Sequence, residues 1–129
     1  MTNARNPGPV TEAPRSLCPI ATSLEIFGDR WTLILVRDLL TGKRHYQEFL
    51  ASPEGISTNI LADRLKRLEA AGLVRKRPYQ TKPLRHEYAL TEQGMALLPV
   101  LQEVCRWANR FMPETWTPPV SFMRQRIKN

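Results

Sequence analysis

ISTNILADRLKRLEAAGLV, residues 56–74, decides how this chain folds. The stretch reads as one amphipathic helix with a start and a stop. Ser57 suits the N-cap because its hydroxyl accepts from a free first-turn amide. Leu61, Leu65 and Leu68 recur at i, i+4 and i+7 and so share one buried stripe. Gly72 follows as the C-cap, since glycine takes the left-handed backbone that helix ends favour. The opposite face carries Thr58, Asn59, Ala62, Asp63, Lys66 and Arg67. Short hydrogen-bonding groups lie toward its N-terminal end and long cations further along. That is the layout of a recognition helix, which reads base edges first and holds phosphates behind them. A solvated outer face of an ordinary helix has the same polarity, so the flanking segments must separate the two readings.

Upstream, Ser52-Pro53-Glu54-Gly55 is a turn, and Tyr46–Ala51 is a short helix that gives Phe49 and Leu50 to the core. A short helix, a tight turn and a second amphipathic helix make a helix-turn-helix. Downstream the period changes. Leu73–Arg77 alternates, Pro78–Pro83 is a turn region, and Arg85–Leu90 alternates again with Tyr88 and Leu90 on one side. This predicts a two-stranded hairpin with Tyr79, Gln80, Thr81 and Lys82 at its tip. The expected fold class is therefore mainly α with a small β-hairpin: a winged helix-turn-helix whose hairpin is the wing.

Charge placement agrees. The 129-residue chain is long enough for one domain and carries a formal net charge of +7. Between Lys43 and Tyr88, ten Lys and Arg stand against five acids, so that third of the chain holds +5 of the +7. Such clustering favours a polyanion partner. No apolar run approaches the roughly 18 residues of a membrane span, so no membrane partner is expected. The N-terminal MTNARNPGPVTEAPR lacks the apolar core of a secretory signal, which points to the cytoplasm. There Cys18 and Cys105 are expected as free thiols. No glycine-rich phosphate loop, HExxH, CxxC or nucleophile elbow is present, and His45 and His86 are far apart in basic surroundings. Neither enzymatic activity, a metal nor a cofactor is expected.

The first 17 residues, rich in Pro, Asn and Thr, read as a disordered tail. Pro19 suits the first helical position and makes Cys18 the N-cap of a helix with Ile20, Leu24 and Phe27 on one stripe, ended by Gly28. Asp29 caps a second helix, Arg30–Leu40, in which Trp31, Ile34, Leu35, Val36, Leu39 and Leu40 are largely buried. Thr91 caps a last long helix, Glu92–Met112, which Pro99 should kink or split near Leu98. Leu97, Leu98, Leu101, Val104, Cys105, Ala108, Phe111 and Met112, with Trp107, give that helix more apolar surface than one winged helix needs. The excess suggests packing against a second copy; the simpler reading is that it covers its own core. Residues 117–129 form a C-terminal tail that either folds onto a partner or stays loose.

Three segments, CPIATSLEIFGDRWTLILVRDLLTGKRHYQEFL, ISTNILADRLKRLEAAGLV and PLRHEYALTEQG, occur in that order and together resemble the HxlR-type winged-helix transcription regulators, which lie close to the MarR-like regulators. The resemblance covers about residues 18–116 as one DNA-binding and dimerisation domain. It implies a homodimer that binds double-stranded DNA at a pseudo-palindromic operator and acts as a repressor or activator. It also implies dimerisation through the first and last helices, where Leu17, Ile20, Leu101, Cys105, Trp107, Ala108 and Phe111 are the expected contacts. Several relatives sense oxidants or electrophiles through a cysteine at the position of Cys18, and this chain keeps the CPI start. His86 stands where relatives often carry valine.

On this reading Ser57–Arg67 of each copy enters a major groove, the two grooves about one helical turn apart. Asn59 pairs with adenine, Thr58 touches a thymine methyl, and Asp63 either accepts from cytosine or orients a neighbouring cation. Arg44, Lys66, Arg67, Lys82 and Arg85 sit on phosphates. Arg64, on the border of the buried stripe, is expected to be structural. Cys18, at a helix N-terminus, is either a sensing thiolate or a packing group. The competing readings are a response to a small aromatic effector held between Trp31 and Trp107, and an RNA or protein partner in place of DNA.

Overall fold

In the computed structural model, which describes residues 16–127, the chain forms seven helices and one hairpin over those residues. Helix α1 (Pro19–Phe27) begins at Pro19, which needs no amide partner, and stops at Gly28. The Asp29 carboxylate then accepts from the amides of Trp31 at 2.9 Å and Thr32 at 3.1 Å. Residues 30 and 31 are spent in that turn, so α2 runs Thr32–Leu40 and starts later than expected. Ahead of α3 (Tyr46–Leu50), the Glu48 carboxylate reaches back to the amides of Arg44 and His45. It satisfies two donors that the short helix leaves free.

Helix α4 (Thr58–Ala70) forms as its sequence requires. The Ser57 hydroxyl accepts from the Ile60 amide at 3.2 Å. Gly72, at φ +81°, turns the chain away. The amides of Leu73 and Gly72 return to the carbonyls of Leu68 and Glu69 at 2.9 and 3.1 Å, which satisfies the helix end in a Schellman motif. Leu61, Leu65 and Leu68 are at most 2% exposed. They meet Leu35 and Val36 of α2, Phe49 of α3 and the hairpin residues Val74, Tyr88 and Leu90 in one core.

The hairpin is longer than its prolines suggest. Strand β1 (Val74–Thr81) pairs antiparallel with β2 (Leu84–Leu90), and only Lys82 and Pro83 remain for the turn. Tyr79, Gln80 and Thr81 thus belong to the strand, not to a loop. Two features make room for Pro78. The Tyr88 amide donates to the Arg44 carbonyl at 2.9 Å, so the connector before α3 takes the outer side of β2 and leaves β1 as the edge, where a missing N–H is tolerated. The register also slips by one residue between Pro78 and Gln80, a bulge at Tyr79.

Thr91 caps α5 (Glu92–Met95), with its hydroxyl accepting from the Gly94 amide. A β-carbon on Gly94 would stand 2.2 Å from the Leu73 carbonyl oxygen, so only glycine lets α5 lie against the root of the hairpin. The expected long helix is split at Ala96-Leu97, and α6 (Leu98–Phe111) restarts with Pro99 in its first turn. The C-terminal segment takes neither expected course: it docks on its own protomer. Phe122 of α7 (Val120–Arg124) joins the core, and the buried Gln102 amide nitrogen lies 3.0, 3.3 and 2.9 Å from the carbonyls of Phe122, Met123 and Gln125. Residues 1–15 of the expected disordered tail, and residues 128 and 129, lie outside the described residues. No helix among those described is long and apolar enough to cross a membrane.

Candidate nucleic-acid interface

Because α4 buries its leucine stripe, Ser57, Thr58, Asn59, Ala62 and Lys66 are left exposed on one face. Their roles divide by what each side chain already holds. The Ser57 oxygen is engaged by the Ile60 amide, which leaves its hydroxyl proton to offer. Thr58, Asn59 and Lys66 make no side-chain hydrogen bond or ion pair among the described residues, so nothing within the chain competes for them.

Asp63 is committed. Its Oδ2 lies 2.5 Å from Arg64 Nη1 and 2.9 Å from Arg67 Nε. The Arg67 N–H is not aimed at that oxygen, so the second contact is an ion pair without a hydrogen bond. A carboxylate between two guanidiniums is a poor acceptor for a base. Of the two expected roles, orienting a cation matches this geometry. Arg64 is structural, as its position on the helix implied: its Nε donates to Asp29 at 2.9 Å and ties α4 to the start of α2. Burial pushes the Asp29 carboxyl up, but the Thr32 hydroxyl, the Arg64 guanidinium and the Trp31 amide outweigh it and hold it below the usual range.

The wing adds cations beside α4. Lys82 occupies the turn, Arg85 is the second residue of β2, and both are exposed. The Tyr79 ring packs against His45 in a tilted pair, 4.4 Å between centroids, which braces the wing against the N-terminus of α3. Arg44 lines a small cavity of about 110 Å³ with Arg75, Arg77, Glu87 and Ala89. Arg77 Nε pairs with Glu87 at 2.6 Å, so one carboxylate stands against the three guanidiniums that line the cavity and the net charge there is positive. Sequence reasoning missed Arg75 and Arg77. Their signal was alternation: partners Arg75–Ala89 and Arg77–Glu87 show one face of the hairpin, and the Arg44 backbone lies along its far edge.

A second missed feature sets the height of α4. Arg37 on α2 holds Glu54, in the turn before α4, at 2.7 and 2.8 Å, and also holds Asp38 at 2.8 Å. The Ser52 hydroxyl donates to Asp38 Oδ2 and accepts from Lys43 Nζ, both at 2.6 Å. The helix-turn-helix turn is therefore pinned to α2 by charge-assisted bonds.

The residues expected at a dimer contact fall into two sets. Leu17 is 87% exposed, Ile20 72%, and Trp107 and Phe111 each 60%. Leu101 is only 7% exposed and belongs to the protomer's own core, so it has little surface to offer a partner. Cys105 and Ala108 are half-buried on the same inner side. Helix α6 is thus apolar on two sides. Leu98, Leu101 and Cys105 face inward, while Val100, Val104, Trp107 and Phe111, spaced four, three and four residues apart, face water.

Cys18 is exposed at the N-terminus of α1. The free amides of Ala21 and Ile20 hold its thiol below the ordinary value. Cys105 is the opposite case, its thiol pushed up by burial. Among the described residues no group of three or more His, Cys, Asp or Glu is placed to hold a metal.

Comparison with known proteins follows the same architecture. Residues 26–116 match the family model described as HxlR-like helix-turn-helix. The chain is 35% identical over 97 residues to the uncharacterized HTH-type transcriptional regulator YvaP of Bacillus subtilis, a match covering 74% of this chain and 90% of YvaP. The solved structure of the transcriptional regulator YodB from B. subtilis, in its reduced form, superposes with a TM-score of 0.64 at 31% identity, covering 78% of this chain and all of that one. The redox regulator HypR in its oxidized form superposes with a TM-score of 0.65 at 32% identity, covering 72% and 96% of the two chains.

Proposed function

The chain belongs to the HxlR-like helix-turn-helix family, whose fold is that of DNA-binding transcriptional regulators, and from that premise we propose that two copies bind one pseudo-palindromic operator as a repressor. The observation that carries this reading is the unengaged trio Thr58, Asn59 and Lys66 on α4, flanked by Lys82 and Arg85 of the wing. In this reading Asn59 takes an adenine edge in the major groove and Thr58 a thymine methyl. Lys66, Lys82, Arg85 and the Arg44 cluster hold phosphates, with Arg67 contributing what Asp63 leaves of its charge. The unpartnered faces of α1 and α6 meet those of the second copy and set the distance between the two α4 helices.

Two substitutions test it by fluorescence anisotropy on a selected operator and on random duplex. Asn59→Ala is expected to cost about 1–3 kcal/mol on the operator and far less on random DNA, relaxing preference at one base position. Lys82→Ala is expected to weaken both alike and to reduce the slope of log affinity against log salt by about one per subunit. Equal losses on both duplexes for Asn59→Ala would remove direct readout.

We also propose that Cys18 is the oxidant- or electrophile-sensing residue. What supports it is an exposed thiol whose pKa is lowered at a helix N-terminus, and the likeness to HypR. A lowered pKa keeps thiolate present further down the pH scale. As pH is reduced below the ordinary thiol value, alkylation by iodoacetamide should persist at Cys18 after it has stopped at Cys105. Cys18→Ser should keep operator affinity and lose its change with diamide. A wild type indifferent to diamide and to quinone sinks this part.

A further inference from the structure

Between α2, α6 and the chain after Trp116 lies a cavity of about 550 Å³, open on one side. Leu33 and Ile34 of α2, Leu101 and Cys105 of α6, and Trp116 and Phe122 of the C-terminal segment line it. Its volume lies in the roughly 300–1,000 Å³ range of small-molecule sites, and its walls are mostly apolar with a few polar groups, as such sites require. Pro118, Pro119, Ser121, Phe122 and Gln125 also border it, and all lie beyond residue 116, where the family match ends. The wall they form lies outside the family match, and Gln102 fixes it in place through the carbonyls of Phe122, Met123 and Gln125. Neither Trp31 nor Trp107 lines it, so this is not the site expected between those two residues.

The chemistry of the walls selects the occupant. Ser121 and Gln125 reach the rim with side chains that make no hydrogen bond among the described residues. Arg37 is the charged group at the cavity, and its guanidinium is already held by Asp38 and Glu54. A charged ligand would find no uncommitted counter-charge, whereas a hydroxyl or carbonyl would find an amide and a hydroxyl. Burial pushes the Cys105 thiol up, which disfavours the reactive thiolate, so the wall is not poised for covalent capture. Arg37 also faces two ways: it borders the cavity, and at 2.7 and 2.8 Å it grips Glu54 in the turn that leads into Ser57 and α4.

We propose that this cavity is an effector site for a neutral, largely apolar ring compound carrying a hydroxyl or carbonyl group, and that the Arg37–Glu54 pair passes its occupancy to α4. The coupling rests on the DNA-binding reading above; the binding does not. An occupant that displaces the Arg37 stem shifts the anchor of the helix-turn-helix turn and so changes the two half-sites' fit to an operator.

The test uses the full-length protein and the neutral fluorescent probe N-phenyl-1-naphthylamine, titrated with and without operator DNA. Saturable binding at one probe per protomer is expected. Ser121→Trp, which fills the cavity from an exposed rim position, should weaken it by about tenfold or more, as should Leu33→Trp from the opposite wall. Probe bound to wild type should change operator affinity by about fivefold or more, and Glu54→Gln should keep probe binding while losing that change. No saturable binding, as when a second copy's side chains fill the space, overturns the site. So does binding that survives both filling substitutions. Saturable binding with unaltered operator affinity overturns the coupling alone. A protein that binds probe but no operator refutes the DNA-binding reading, and the coupling with it, while leaving the site standing.

Discussion

Trp107→Glu is expected to turn the proposed dimer into a folded monomer and to cost at least about a hundredfold in operator affinity. The indole is 60% exposed and lies 5.7 Å from the Phe111 ring, in the stripe Val100, Val104, Trp107, Phe111 that faces away from the protomer's core. Within one protomer the substitution removes little burial, so the fold should survive with a change inside about 0.5 kcal/mol. Across a two-fold interface the same change occurs twice, because each copy presents the same patch. A buried interface tryptophan is worth about 2 kcal/mol or more, so two of them, each replaced by a carboxylate that would have to be desolvated, remove about 4 kcal/mol or more from dimerisation. Losing the link between half-sites forfeits an effective-concentration gain of about 10²–10⁴. Sedimentation equilibrium and circular dichroism read the first two effects, and anisotropy on whole and half operators the third. A variant that still sediments as a dimer would show that α6 does not carry the contact.

Why this helix resisted reading from sequence is physical. Leu101 and Trp107 both belong to one wide apolar face that covers about half of α6, and a helical wheel gives no reason to prefer one edge of it as the inner one. Only α2 on one side, and the C-terminal segment folded back on it, decide that Leu101 is core. By contrast α4 was legible almost to the residue. Its determinants are local: a hydroxyl at the start, leucines one turn apart, and a glycine where the backbone turns left-handed. The wing was legible in kind but not in extent. Pro78 and Pro83 read as loop residues, yet an edge position and a bulge let Pro78 stay in strand, and both depend on where Arg44 lies relative to β2. The free groups on α4 followed from its pattern alone. The engagement of Asp63 and Arg67 did not, since ion pairing is decided by rotamers and neighbours.

Asp38→Ala should be the most destabilising polar substitution in the α2–turn network, at about 3 kcal/mol or more. Its side chain is 3% exposed and accepts from Arg37 and the Ser52 hydroxyl, with Lys43 Nζ at 4.0 Å. Removing one member of a buried ion pair costs about 3–5 kcal/mol, because the partners keep their charge and lose their acceptor. Arg37 and Lys43 are roughly 30% exposed and recover some solvation, which places the effect at the low end. Glu54→Gln is the control. That side chain is 28% exposed, so its loss of charge should cost below about 1 kcal/mol although it bonds the same arginine. Urea unfolding of the two variants, compared at equal m-value, measures both. Equal costs would mean that burial does not set the worth of these bonds. The functional consequence runs through Ser52 and Arg37: with Asp38 gone, Ser52 loses its acceptor on α2 and Arg37, which still grips Glu54, loses the second carboxylate that orients it, while the leucine stripe of α4 stays packed. Operator affinity should then fall even under conditions where the variant remains folded, because the axis of α4 is held less firmly for the groove.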